Sequence, residues 1–186
     1  MKKQAIILAA LIGAASAQAQ SSDKFYVTGA VGTTHLNLDC EGAPSCDTSD
    51  TGGKLVGGYK FGNGFSAELG YVNFGKSKLA GGADWISVKV SAIALGGAYA
   101  LPLNNDWGLN LRLGVAQVKT KADSFITGYG SGTGSRNDTN VYAGIGASYA
   151  ISPAVKLELG IDSTKAGDAD AGGNVRLISL GATFAF

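Results

Sequence analysis

The amino-acid sequence predicts an all-β fold, an eight-stranded antiparallel up-and-down transmembrane β-barrel. From residue 24 onward apolar side chains recur at every second position, which is the period of a strand with two different faces. No long apolar run follows the one near the start of the chain, so a bundle of membrane-spanning helices is excluded. Short and long connections alternate between the strands, as is typical of membrane barrels.

The first residues predict an export signal at 1–19, followed by one barrel domain at 20–186. Lys2 and Lys3 form a basic region, residues 5–15 an apolar stretch, and 17–19 a small-x-small cleavage site, with 15–17 as a second acceptable site. The stretch is shorter than the roughly 20 residues of a spanning helix. Without the two lysines, 13 basic residues face 14 acidic ones, which argues against a nucleic-acid partner.

Eight segments carry the two-residue period, and each is close to the roughly 10 residues that a tilted membrane strand needs. They run at about 24–35, 53–62, 64–75, 85–101, 107–119, 140–151, 154–163 and 174–186. Tight turns are expected at 62–64, 102–106 and 152–153, and long polar connections at about 36–52, 75–84, 120–139 and 163–173. In outer-membrane barrels the short turns face the periplasm. We therefore expect four external loops, with both termini in the periplasm.

The two faces of the strands predict which side chains point inward. In the seventh segment Val155, Leu157 and Leu159 alternate with Lys156 and Glu158. In the sixth and eighth segments the second face carries small residues: Gly144, Gly146, Ser148, Ala150, Ser179, Gly181, Thr183 and Ala185. Small inward residues are typical of a narrow closed barrel.

The fourth segment does not keep one register. Ile86, Val88 and Val90 share one face, whereas Ile93 and Leu95 lie on the other. A bulge near residues 91–92 would reconcile them. Alternatively, the upper part of this strand rises above the membrane, where the outward face need not be apolar.

Aromatic residues cluster near the strand ends that lie next to the tight turns and the termini. This distribution predicts an aromatic girdle at a membrane interface. Its members are Phe25, Tyr59, Phe61, Tyr99, Trp107, Tyr149, Phe184 and Phe186.

Three charged residues on inward faces are predicted to meet at one height in the lumen. Glu68 lies four residues past one tight turn, Arg112 six past the next and Glu158 five past the third. These offsets differ by roughly 3–5 Å of height along tilted strands. We therefore predict that Arg112 bridges Glu68 and Glu158, with Lys60 and Lys156 lower down balancing the excess carboxylate.

The two cysteines, Cys40 and Cys46, lie in a polar segment between the first two strands. In an exported protein a disulfide is favoured, because a zinc site needs about four ligands and no second Cys or His cluster exists. Flexible carboxylate loops can bind calcium, but solvated loops are the expected state of two such groups: Asp39, Asp47 and Asp50, and Asp162, Asp168 and Asp170. No metal and no cofactor are expected.

The segments GGYKFGNGFSAELGYVNFGK, LPLNNDWGLNLRLG and VYAGIGASYAISPAVKLELG, in this order, resemble the transmembrane domain of outer membrane protein A. The resemblance covers nearly all of residues 20–186, and it implies a barrel without the C-terminal peptidoglycan-binding domain. Glu68 and Arg112 match interior charges of that family. Ala98, Ser148 and Glu158 stand where the family has an interior lysine, glutamate and arginine. The resemblance therefore assigns an interior role only to Glu68 and Arg112.

The resemblance implies a monomeric protein of the bacterial outer membrane. The expected partners are outer-membrane lipids, lipopolysaccharide and the barrel-assembly machinery, which reads the terminal Phe186. We expect a structural or surface-interaction role that supports envelope integrity, with a narrow porin-like pore as the alternative. A lipid A-modifying enzyme is a third hypothesis, in which His35 would act with Asp39 or Ser87 at the outer rim. No catalytic residue is assigned.

Overall fold

The computed structural model describes residues 24–36, 45–47, 49–81, 84–128, 130–167 and 173–186. The expected export signal and Cys40 lie outside these residues. The strands are β1 (Phe25–Leu36), β2 (Ser45–Asp47), β3 (Ser49–Gly62), β4 (Phe65–Gly81), β5 (Asp84–Pro102), β6 (Trp107–Ile126), β7 (Gly130–Ser152), β8 (Val155–Ala166) and β9 (Gly173–Ala185). No helix among the described residues is long and apolar enough to cross a membrane.

Eight of these strands close into an antiparallel barrel in the order β1-β3-β4-β5-β6-β7-β8-β9. Each strand pairs with its neighbours in sequence, and β9 returns to pair with β1 from Tyr26↔Ala185 to Leu36↔Val175. Backbone hydrogen bonds of 3.1 and 2.9 Å between Phe25 and Phe186 continue this seam. The short β2 adds to the far end of β4. The predicted eight-stranded up-and-down barrel is confirmed.

The outer face of the barrel is apolar through its middle. More than half of the surface of many large side chains is exposed there, including Val31, Leu55, Leu69, Leu95, Leu113, Val141 and Leu180. A water-soluble monomer rarely exposes one continuous apolar belt of this size. Hydrocarbon chains of a bilayer are the environment that fits it.

Two of the predicted long connections are strands in the structure. β6 and β7 pair without interruption up to Ile126↔Gly130, although 120–139 was expected to be a loop. β4 and β5 likewise pair up to Gly81↔Asp84, across most of the expected connection at 75–84. Both faces of these extensions lie beyond the apolar belt, so the apolar alternation that marks the lower strands is absent. The backbone nevertheless satisfies its hydrogen bonds by continuing the hairpin.

The bulge expected near residues 91–92 is instead on the neighbouring strand. The β4–β5 register shifts between Asn73 and Lys76, where β4 carries one extra residue. Gly75 adopts a φ of 76° at this bulge, which favours glycine. Inward and outward side chains alternate regularly along β5, as the buried Val90 and Ala92 and the exposed Ile93 show. The valines that seemed out of register are inward-facing residues of an apolar interior.

That interior fills the half of the lumen next to the long connections. It consists of Leu36, Val72, Phe74, Val90, Ala92, Ala94, Ala116, Val118, Tyr142, Val175 and Leu177, here called the apolar plug. Phe74, Val90, Val118 and Leu177 have no exposed surface. The sequence had predicted small residues inside the barrel, and the structure adds this packed apolar layer.

Candidate functional site

The middle of the lumen contains a cluster of five charged side chains, here called the lumen network. Its members are Lys54 on β3, Glu68 on β4, Arg112 on β6, and Glu158 and Asp162 on β8. Each of these residues is at most 7% exposed. Inward projection follows from the strand alternation, because the apolar neighbours of each residue along its strand face outward. Three carboxylates meet two cations, so the cluster has one formal negative charge.

Arg112 joins two of the carboxylates. Its Nε donates to Glu68 at 3.0 Å, and its Nη2 donates to Glu158 Oε2 at 2.8 Å. The structure thus brings together the three residues that the turn offsets had placed at one height. Charge-assisted hydrogen bonds of this length are among the strong ones in proteins.

Lys54 is the second cation of the network, and the sequence analysis missed it. Its Nζ lies 2.7 Å from Asp162 Oδ2 and 3.3 Å from Glu158 Oε1. Lys60 and Lys156 lie nearer the tight turns, on the wall of an open cavity that Glu68 and Glu158 also line. Their expected role of balancing the carboxylates stays a prediction. Lys54 precedes Lys60 by three inward positions on β3, so the alternation places it in the lumen but does not give its height.

Two tyrosines and an asparagine complete the hydrogen bonding of the carboxylates. Tyr26 on β1 donates to Glu68 and also contacts Ser66 Oγ at 2.9 Å. Tyr142 on β7 donates to Asp162. Asn110 Nδ2 donates to Glu158 at 3.1 Å. Together with the charged residues, these side chains link β1, β3, β4, β6, β7 and β8 across the lumen.

Two glycines make room for these tyrosine and carboxylate side chains. A Cβ on Gly58 would lie 2.1 Å from the Tyr26 ring, and one on Gly144 would lie 2.6 Å from Asp162 Oδ1. Neither position can hold a larger residue without displacing a member of the network. The glycine content of the inward faces is thus a requirement of the charged layer as well as of the narrow barrel.

An open cavity of about 280 Å³ lies between the lumen network and the tight turns. Glu68, Arg112 and Glu158 form its inner end, and residues of the turns at 62–64 and 153–154 line its mouth. The ammonium of Lys60 lies 5.7 Å from the centre of the Tyr26 ring on its wall. The apolar plug lies on the other side of the network from this cavity.

The predicted girdle residues surround the turn end of the barrel. Phe25 contacts Tyr59 and Phe186 with ring centroids 5.0 and 6.5 Å apart, and Trp107 lies 5.1 Å from Tyr149. Tyr59 also packs on Phe61, and Tyr99 packs on Phe65, which the prediction did not include. Phe184 is 48% exposed on β9.

The described residues among the other sequence candidates do not assemble into a site. His35 is hydrogen-bonded to Ser49 at 3.1 Å, whereas Ser87 lies on β5, which is not adjacent to β1. Asp162 belongs to the lumen and not to a calcium loop. In the described part of the chain no group of three His, Cys, Asp or Glu residues could hold a metal ion.

The remaining loop candidates fall outside the described residues. Cys40, Asp39, Asp168 and Asp170 are among them, and the side chain of Cys46 is also not described. The disulfide therefore stays a prediction.

The closed sheet, its apolar outer face and its charged interior define a transmembrane β-barrel. Residues 5–186 match the outer membrane protein beta-barrel domain family, and the chain belongs to this family. The resemblance to outer membrane protein A is thereby confirmed at the level of the barrel. No curated protein matches the chain significantly.

Solved structures with the same fold come from several bacteria. Neisserial surface protein A is 16% identical, with a TM-score of 0.65 over 89% of this chain and 98% of that one. Ail of Yersinia pestis, in complex with the heparin analogue sucrose octasulfate, is 18% identical, with a TM-score of 0.59 over 88% and 99%. The N-terminal barrel of Pseudomonas aeruginosa OprF is 13% identical, with a TM-score of 0.56 over 88% and 98%. At these identities the similarity shows the fold.

Proposed function

We propose that this protein is a non-conducting barrel of the bacterial outer membrane that supports envelope integrity and presents its long connections outside the cell. The tight turns and both termini face the periplasm in this proposal, and the barrel-assembly machinery reads the exposed terminal Phe186. Short turns inside and long loops outside are the common arrangement in such barrels.

The observation that carries the proposal is the double closure of the lumen. The network joins opposite walls of the barrel through buried ion pairs. Beyond it, the plug packs Phe74, Val90, Val118 and Leu177 with no exposed surface. Eight strands enclose an interior that side chains can fill completely. A solute would have to displace both layers, and this argues against the alternative of a narrow pore.

The surface role is supported by the hairpins that extend beyond the apolar belt. β6 and β7 continue for about seven residue pairs past Lys119↔Asn137. At roughly 3.4 Å per residue on strands tilted about 40°, the hairpin projects by about 18 Å. The structural neighbour Ail is named for attachment and invasion and is seen with a heparin analogue. A surface-binding role is therefore compatible with this fold.

An enzyme of lipid A is not supported by the rim residues. The His35 imidazole contacts the hydroxyl of Ser49, but among the described residues no carboxylate contacts the ring. A nucleophilic hydroxyl generally requires a base that a third group orients.

Deletion of the gene tests the proposed role in the cell. The deletion strain should become more sensitive to detergent or lose surface contact, and its uptake of small solutes should be unchanged. Complementation with the intact gene should restore the envelope phenotype. A loss of small-solute uptake that the intact gene restores would favour the pore instead.

A further inference from the structure

Lysines on three neighbouring strands lie directly opposite one another on the outer face of the barrel. Lys76 on β4 pairs with Lys89 on β5, and Lys89 pairs with Lys121 on β6. We call these three residues the lysine row. Lys119 lies two residues along β6 on the same face, opposite Ser91. All four lysines are exposed.

The lysine row borders the apolar belt on the side of the long connections. On β6 the outward residues below it include Leu113 and Val115, which are 67% and 52% exposed. Lys121 is fourteen residues from Trp107, the girdle residue of this strand. At about 3.4 Å per residue and a tilt of about 40°, that is roughly 36 Å. The hydrocarbon core of a bilayer is about 30 Å thick, and the bilayer with its head groups about 40–45 Å. The row therefore lies at the level of lipid head groups.

The four lysines concentrate positive charge on this part of the outer face. None of the four lysines takes part in the ion pairs found among the described residues. The Asp50 carboxylate near this site accepts a hydrogen bond from the backbone N–H of Lys76 at 2.6 Å. Asp123, two residues beyond Lys121 on β6, is an exposed carboxylate on the same face.

Like charges directly opposite on paired strands destabilise a sheet, and here two such pairs share Lys89. An anion that contacts several ammonium groups at once removes this repulsion. Opposed side chains are about 5 Å apart at Cβ, so one phosphate group can accept from two neighbouring lysines. Lysine is a common binder of phosphate in proteins.

We infer that the lysine row binds the phosphate groups of phosphorylated glycolipids in the outer leaflet of the membrane. The inference rests on the proposed orientation, in which this end of the barrel faces outside. Attraction of lysines to an anionic membrane surface is short-ranged and weakened by salt. Bound lipid would surround the barrel where β4, β5 and β6 leave the apolar layer.

The test uses the purified barrel in detergent micelles with an uncharged head group. Diphosphorylated lipid A is added, and the bound fraction is measured by native mass spectrometry. One variant carries Lys76→Gln, Lys89→Gln and Lys121→Gln together, and a second carries arginine at the same three positions. A third variant carries Lys89→Gln alone. Lys24→Gln, at the opposite end of the barrel, is the matched control for Lys89→Gln alone. Heat-modifiable gel mobility shows that each variant is folded.

The glutamine triple should lose affinity on the order of tenfold or more, and the arginine triple should bind like the wild type. Lys89→Gln should weaken binding, whereas Lys24→Gln should not. Raising the salt concentration should lower the affinity of the wild type for lipid A towards that of the glutamine triple. If the glutamine triple does not fold, the comparison of Lys89→Gln with Lys24→Gln decides.

Three outcomes with lipid A would overturn the inference. They are wild-type affinity in the glutamine triple, equal binding of dephosphorylated lipid A, and equal losses in Lys89→Gln and Lys24→Gln. Strong binding of a soluble sulfated oligosaccharide with no binding of lipid A would also reject the lipid as the occupant. Failure of the proposed function is read separately, because it would show as conductance or as failure to form a barrel.

Discussion

Removal of Arg112 should destabilise the barrel strongly, because the side chain is 3% exposed and holds two carboxylates. Glu68 would lose its ion pair with Arg112 and keep the hydrogen bond from Tyr26. Glu158 would keep Lys54 at 3.3 Å and Asn110 at 3.1 Å. Breaking a buried ion pair from one side costs about 3–5 kcal/mol. We expect Arg112→Ala to lower the free energy of unfolding by this amount.

A second substitution separates the charge effect from lost packing. Arg112→Ala combined with Glu68→Gln removes the carboxylate that has lost its ion pair with Arg112, so part of the lost stability should return. A coupling of about 0.5–3 kcal/mol is expected for residues in one network. The measurement is a urea titration in lipid vesicles, with the folded fraction read from gel mobility.

Arg136→Ala is the control for the same substitution in an ion pair whose arginine is exposed. Arg136 lies 2.8 Å from Asp138, and the two side chains are 57% and 12% exposed. Solvent weakens ion pairs that it can reach, so this variant should lose less stability than Arg112→Ala. The reasoning is refuted if Arg112→Ala is as stable as Arg136→Ala, or if the double variant is no more stable than Arg112→Ala.

Three further predictions concern the barrel and its outer end. Folded protein should migrate differently from boiled protein on gels, and recovery as a soluble periplasmic protein without detergent would contradict the barrel. Cys40 and Cys46 should form a disulfide in protein isolated from the envelope, so two free thiols under non-reducing conditions would disprove it. The Thr127 N–H donates to Asp84 at 2.7 Å and lowers the pKa of that carboxyl. This hydrogen bond to the ionised carboxylate is therefore fully formed above the ordinary aspartate pKa near 3.9. It is lost as the pH falls through the lowered pKa of Asp84 in the folded protein. The Thr127 amide signal should titrate with a midpoint below 3.9 in the wild type, and the same titration in Asp84→Asn would contradict this assignment.

The barrel could be predicted from the sequence because lipid and lumen impose opposite requirements on alternate residues. Leu157 and Leu159 face outward on either side of the inward-facing Glu158. This alternation of apolar and charged residues indicates a strand and also shows which of its faces meets the lipid. Beyond the apolar belt both faces meet water, so the pattern disappears and the extension of β6 and β7 was not predicted. Only the continued backbone pairing shows it.

The network was predicted in part for a related reason. Offsets from the tight turns place Glu68, Arg112 and Glu158 at one height. Lys54 and Asp162 were missed because they lie further from those turns. The height of a residue there depends on the stagger between strands, which the sequence does not specify. The bulge at Gly75 was also not predicted. A register shift on β4 leaves the alternation of β5 unchanged, so the sequence of β5 carries no sign of it.

Conductance of the purified barrel in a planar lipid bilayer tests the closed lumen most directly. The wild type should show no resolved channel openings, because the lumen network and the apolar plug both block the path. Phe74→Ala, which opens a cavity in the plug but leaves the ion pairs intact, should also remain closed. Regular openings of the folded wild-type protein would contradict the account.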